Sequence, residues 1–268
     1  TKSTMTGLQT LSRMNIASNP EPEWSIEIPS GNAHNGISTK IAASEFGVIV
    51  AGVCLNYVES LCVQEFFRSG AQRFPGELSV FRKIALPIAD PTPSSPYFKV
   101  NGLTVSSTGK ILVYGNFPSG TVLQLNSDLT LDESFGQSGF IHNAESALGA
   151  QGLVTLSSGE IIVLDWLNPV EYEMWGQLVI QRYSSTGAKL AESAVGYDDI
   201  ASLRKSADDK VVIVTLVDIR RFNADLTPDL SFGIGGVAEM DSSPEYYVQN
   251  VYMNAAIQQD GRIVVAGQ

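Results

Sequence analysis

Histidine and cysteine are nearly absent from this sequence, which has two of each in 268 residues. No His/Cys cluster has metal-ligand spacing, so no metal and no cofactor is expected. Neither a nucleophile elbow nor a phosphate-cradling glycine loop occurs. Basic residues are scarce too: 17 Lys and Arg stand against 28 Asp and Glu, a net charge of −11. That balance argues against a nucleic-acid footprint and against a polybasic membrane anchor. No apolar run approaches the length of a bilayer span, so no membrane insertion is expected. The N-terminal stretch TKSTMTGLQT has no signal-peptide core, which predicts that an export signal was removed or never present. A helical hydrophobic period is also missing.

What the chain does have is repetition. Gly261 in DGRIVVAG aligns with Gly47 in FGVIVAG, Gly109 in TGKILVYG, Gly159 in SGEIIVLD and Asp209 in DDKVVIVT. The copies recur about every 50 residues, with one longer interval between the first two; a fixed period of this size marks a repeat architecture. Within each copy a short apolar run such as Leu153–Leu156 is followed by a turn with Gly or Asp and a β-branched run such as Ile161–Val163. A third run ends at Arg182–Tyr183 or Arg221–Phe222, and a polar turn (NSDLTLD, NADLTPD) leads to a fourth, Phe140–Ile141 or Val237–Ala238. Four short strands bounded by turn residues describe a small antiparallel sheet. Such sheets repeated radially make a β-propeller.

The stretches RFNADLTPDLSFGIGG with AIQQDGRIVVAGQ, and LNSDLTLDESFGQSG with LVTLSSGEIIVL, resemble the delta-60 repeats of bacterial β-propellers. Their Asp-x-x-Phe-Gly signature stands here at Asp132, Ser134, Phe135, Gly136 and at Asp229, Ser231, Phe232, Gly233. The copy from Gly187 to Gly196 lacks the Phe-Gly, and the copy after Arg68 is longer and irregular. The resemblance implies a propeller scaffold and assigns no activity, because one scaffold serves many functions.

The expected fold is all-β: one domain, a five-bladed propeller of four-stranded antiparallel blades. Its units fall near residues 25–78, 79–140, 141–193, 194–238, and 239–268 joined with 1–24. The last follows because Leu11–Trp24 aligns with Ile219–Phe232, the second half of a unit, while the chain ends after a first half. Pairing the terminal strands would close the ring without an open edge; the rival is a slice of a longer array. Residues 72–100, with Pro87, Pro91, Pro93 and Pro96, read as a long loop. Cys54 and Cys62 flank the gap between a second and a third strand. They are either a cross-hairpin disulfide, which would point to a secreted or cell-surface bacterial protein, or two free thiols.

The plan puts the monotonous turns at one end of each sheet and the variable segments at the other, where binding residues concentrate. The variable segments carry His34, His142, Asp165–Trp175, Tyr246 and Tyr247. The richest is DWLNPVEYEMW, with Trp166, Tyr172 and Trp175 interleaved with Asp165, Glu171 and Glu173. Aromatic faces flanked by carboxylates suit a glycan or a protein surface, although Trp166 and Trp175 also read as packing groups. His34 and His142 are either ligand contacts or solvated loop residues. The expected function is therefore non-enzymatic recognition of a carbohydrate or protein partner. The alternatives are a glycoside hydrolase using carboxylates among Asp165, Glu171, Glu173, Asp198 and Asp199, or a structural segment of a repeat protein. The turn residues Asp128, Asp132, Asp225, Asp229 and Asp260 read as side-chain-to-backbone turn acceptors.

Overall fold

The structure is a computed structural model that describes residues 8–15, 19–29, 40–53, 60–69, 71–73, 82–85, 99–117, 120–143, 145–146, 149–167, 176–196, 200–240 and 254–266. All of its regular elements are strands, as the short β-branched runs require. They divide between two compact units, Thr1–His142 and Asn143–Gln268.

The first unit opens with a two-stranded antiparallel sheet, β1 (Leu8–Asn15) and β2 (Asn19–Pro29). A four-stranded sheet follows in the order β3 (Lys40–Ala43), β4 (Gly47–Val53), β5 (Ser60–Phe67), β6 (Arg82–Ala85). The next is β7 (Lys99–Val105), β8 (Ile111–Phe117), β9 (Gly120–Leu125), β10 (Phe140–Ile141). The second unit holds β11 (Gly152–Thr155), β12 (Ile161–Leu167), β13 (Gln177–Tyr183), β14 (Lys189–Gly196). After it come β15 (Ile200–Lys205), β16 (Val211–Thr215), β17 (Asp218–Phe222), β18 (Val237–Glu239). A two-stranded pair, β19 (Asn254–Ile257) and β20 (Ile263–Ala266), completes it. All pairings between these strands are antiparallel. The expected four-stranded meander is thus present four times; five blades and a closed ring are not shown by the described sheets.

The second strand of each sheet explains the stacking. Val211 and Ile213 of β16 join Ile162 and Leu164 of β12 in one buried cluster. The alternate residues Val212 and Val214 face the other way, toward Ala255 of β19. The same offset places Ile49 and Ala51 of β4 against Ile111 and Val113 of β8. A strand buried on both faces has no polar side to alternate with, and β16 is accordingly buried along its whole length. Burial of each such residue stabilises by about 1.5–3 kcal/mol.

Three local expectations are corrected. Gly109, Gly159, Asp209 and Gly261 do occupy one equivalent left-handed turn position, at φ 77°, 85°, 60° and 83°. Gly47 does not: the first turn runs from Ser44 to Gly47, with the Ser44 amide donating to the Gly47 carbonyl, one residue shorter than the Ser106–Lys110 turn. Gly47 therefore matches Lys110. Second, the proline-rich passage read as loop contains β6, which pairs with β5 and completes the first sheet; Pro87, Pro91, Pro93 and Pro96 follow it in sequence, and Pro75 precedes it. Third, residues 19–24 align with the turn residues 227–232 yet run as part of β2 against β1. The later turn needs Gly233, whose φ is 53° and at which an added Cβ would run into the Val237 carbonyl oxygen. Ser25 stands at that place in the N-terminal copy, so the tight turn is disfavoured there.

Candidate functional site

The Asn-x-Asp-Leu-Thr and Asp-x-x-Phe-Gly sequences build one rigid double turn twice. Asp128 Oδ1 accepts the Thr130 amide (3.0 Å) and hydroxyl (2.5 Å), and Asp225 Oδ1 accepts those of Thr227 at 3.0 and 2.6 Å. Asp132 and Asp229 take the Ser134 and Ser231 amides, each at 3.2 Å, and their hydroxyls at 2.6 and 2.7 Å. Lys110 reaches Asp132 at 2.8 Å and Arg221 reaches Asp229 at 2.7 Å. The hydrogen bonds from Lys110 and Ser134 hold the Asp132 carboxyl well below the usual range. The Ser231 hydroxyl, with its amide and Arg221, lowers Asp229 to about 2. These aspartates are turn acceptors, consumed by the scaffold.

The link after β10 meets the end of β12 at Asp165. This residue lies in β12 at 0% exposure. Its Oδ2 accepts Nδ2 of Asn143 at 2.7 Å and its Oδ1 accepts the Ser146 hydroxyl at 2.7 Å. The Ser146 oxygen in turn takes the Gly149 amide at 3.0 Å, and Ser146 bridges Leu167 along the backbone. Asn143, Ser146 and Gly149 are thereby fastened to the end of β12, just before the aromatic-rich 168–175 stretch in sequence.

A polar ladder continues across the same sheet. The Tyr183 hydroxyl donates to Oε1 of Gln181 at 2.9 Å, and Nε2 of Gln181 donates to Glu192 at 2.8 Å. Lys189 closes it with a 2.7 Å contact to Glu192. Burial pushes the Asp165 pKa up, against the pull of Ser146 and Asn143. Burial raises Tyr183 as well, and the neighbouring Asp165 and Glu192 charges add to it. Burial also disfavours the Glu192 carboxylate, but the Lys189 and Gln181 hydrogen bonds outweigh it and lower its pKa. A carboxylate with both oxygens engaged and no solvent contact is an anchor for its neighbours rather than a proton carrier.

The other sequence-derived candidates are placed as follows. Trp166 is half-buried and packs against the core cluster of β12, β13, β15 and β16. His142 is exposed just after β10, its ring 6.2 Å from that of Phe140. Cys62 lies in β5 and is disulfide-bonded; Cys54, the only other cysteine in the sequence, lies outside the described residues. So do His34, Glu171, Tyr172, Glu173, Trp175, Asp198, Asp199, Tyr246 and Tyr247. Among the described residues no group of three or more His, Cys, Asp or Glu could hold a metal ion, and no helix is long and apolar enough to cross a membrane.

Sequence reasoning passed over the cluster around Arg73. Its guanidinium bonds Glu65 at 2.6 Å and lies 3.6 Å above the Phe46 ring, while Glu65 also accepts the Ser44 hydroxyl. The signal was available: Arg73 follows a third strand at the place that Asp132 and Asp229 occupy. In all three the amide donates to the carbonyl of the strand residue eight positions earlier, Glu65, Gln124 or Arg221.

Comparison with known proteins adds one sequence match. Residues 106–135 match the family described as "Domain of unknown function (DUF5122) beta-propeller". That stretch spans the β7–β8 turn, β8, β9 and the first signature turn, and it supports a β-propeller repeat family. No curated protein matches the chain. Among solved structures, the extracellular domain of a hybrid two-component system from B. thetaiotaomicron is 14% identical, with a TM-score of 0.49. The match covers 86% of this chain and 26% of that one, so the chain spans about a quarter of its length. The extracellular domain of a one-component system from the same organism is 12% identical, with 85% and 26% covered and a TM-score of 0.46. A gluconolactonase from Xanthomonas campestris is 9% identical, with 87% and 84% covered and a TM-score of 0.34.

Proposed function

We propose that this chain is a non-enzymatic recognition module, built from delta-60-like propeller repeats, that holds a carbohydrate or a protein surface on its variable segments. The observation that carries this reading is the Asp165 anchor. It ties Asn143 and Ser146, in the link after β10, to the end of β12, from which the sequence runs on into the segment that carries Tyr172 and Trp175. A rigid base lowers the ordering cost that a binding loop otherwise pays. The same burial speaks against Asp165 as a glycosidase acid or nucleophile, which must reach substrate. On this reading Tyr172 and Trp175 are the contact residues, with His34, His142, Tyr246 and Tyr247 contributing from other segments. Trp166 supports them from the core side. A disulfide at Cys62 fits a secreted or surface location, where oxidising conditions preserve such bonds.

A glycan array probed with the purified chain and with a Tyr172→Ala/Trp175→Ala variant tests the reading. Wild-type binding that the variant loses, at unchanged thermal stability, is the expected result. Silence from the wild type overturns the carbohydrate arm. Equal binding by both overturns the placement of the site.

A further inference from the structure

The hairpin turns differ between the two units. In the second unit the turn of one sheet is stapled to the turn of the next. Asp209 takes the Ser157 amide at 3.1 Å from each carboxylate oxygen and also accepts the Ser157 hydroxyl, and Lys205 holds it from the other side at 2.8 Å. Burial raises the Asp209 pKa, but the Lys205 and Ser157 hydrogen bonds outweigh it and keep the group low.

In the first unit Gly109 stands where Asp209 stands in the second. Both residues are left-handed, at φ 77° and 60°, and both donate their amide to the serine three residues before. Gly109 has no carboxylate to offer. A Cβ built on it meets nothing within 4 Å. The space is a cavity of about 560 Å³ between the Ser44–Gly47 and Ser106–Lys110 turns, within the roughly 300–1,000 Å³ of ordinary ligand pockets. The one-residue shortening of the first turn and the missing Asp side chain open it together.

The lining sets the chemistry. Ser107, Thr108 and Ser127 bring hydroxyls, Glu45 a carboxylate, and Arg73 a guanidinium held between Glu65 and the Phe46 ring. An anionic ligand meets Glu45 and Glu65 and a cationic one meets Arg73. A neutral molecule with adjacent hydroxyls can donate to the carboxylate and accept from the guanidinium without either penalty.

We propose that this cavity is a binding site for a neutral polyhydroxylated molecule of monosaccharide size, independent of the variable-segment site. The test is an NMR titration of the full chain with D-glucose and myo-inositol, and with glucuronate and glucosamine as charged counterparts. Gly109→Asp supplies the carboxylate that Asp209 carries, at a left-handed position that strains an L residue as it does Asp209 but leaves open space at the Cβ; Thr108→Val removes a lining hydroxyl instead. The expected result is saturable shifts at Ser107–Gly109 with a neutral polyol. Gly109→Asp should weaken that binding at least about tenfold, Thr108→Val should weaken it less, and Tyr172→Ala/Trp175→Ala should leave it unchanged. No saturation with either neutral polyol overturns the proposal. So does equal binding by Gly109→Asp, or tighter binding of glucuronate or glucosamine. A failure here with glycan-array binding intact leaves the variable-segment reading standing.

Discussion

The first four-stranded sheet and its two signature-bearing relatives solve one electrostatic problem with opposite signs. In the β7–β10 sheet Asp132 sits after the third strand and receives Lys110 and Gln124. In the β15–β18 sheet Asp229 does the same for Arg221, with Lys210 at 3.4 Å. In the β3–β6 sheet the acid has moved onto the third strand as Glu65, the base has moved into the turn as Arg73, and glycine replaces the lysine. The β11–β14 sheet adds a further solution, Arg182 on the third strand paired with Glu160 before the second at 2.8 Å. What the fold keeps constant is a compensated pair at the turn end of each sheet. The residue types are free to vary, because a half-buried charge costs most when it is left alone.

The sharpest way to break the two faithful copies is through their turn glycines. Gly136→Ala, at φ 53° with a Cβ directed into the Phe140 carbonyl oxygen, is expected to cost about 3 kcal/mol or more. Gly233→Ala should behave alike, and chemical denaturation measures both. The charge inversion comes next. Glu65→Gln and Arg73→Ala should each cost about 2–3 kcal/mol, while the double variant costs clearly less than their sum, because each single change leaves a charge without its partner. Additive losses in a double-mutant cycle would show that the pair is not coupled.

A pH series separates the turn acids from the anchor. Asp132 and Asp229 have folded pKa values below the usual range. Their stabilisation is present above the unfolded pKa near 3.8 and is lost as pH falls toward the lowered values. Asp165 is raised, so its sign is opposite: the wild type gains relative to Asp165→Asn as pH falls through that raised value. Thermal melts of Asp165→Asn and Asp132→Asn across acid pH should therefore diverge from the wild type in opposite directions. The smallest effect is expected at Leu230 and Ile234, exposed at 76% and 91%, where the β7–β10 sheet has Glu133 and Gln137. Leu230→Glu and Ile234→Gln should change stability by no more than about 0.5 kcal/mol.

Much of the scaffold was legible in the residues. The strand-forming runs, their order and the turn chemistry of Asp128, Asp132, Asp225 and Asp229 all follow from local preferences that act within a few residues. The errors lie where a local signal was borrowed from another copy. Gly47 looked like the turn glycine of its relatives, although a one-residue deletion had moved it to the start of β4. The stretch from Gln72 looked like loop because its prolines drew attention from β6. Trp24 aligned with Phe232, but without the following glycine the backbone has no inexpensive route through the same turn.

Hydrophobic and turn patterning along the chain by itself determined four-stranded antiparallel sheets, because strand period and left-handed turn positions are set by neighbouring residues. Only the tertiary structure decided that Asp165 is an anchor, that Arg73 replaces the turn aspartate, and that a cavity lies beside Gly109 while Asp209 staples the equivalent turns. Those outcomes depend on which distant side chains arrive at 3 Å, and sequence spacing carries no measure of that distance.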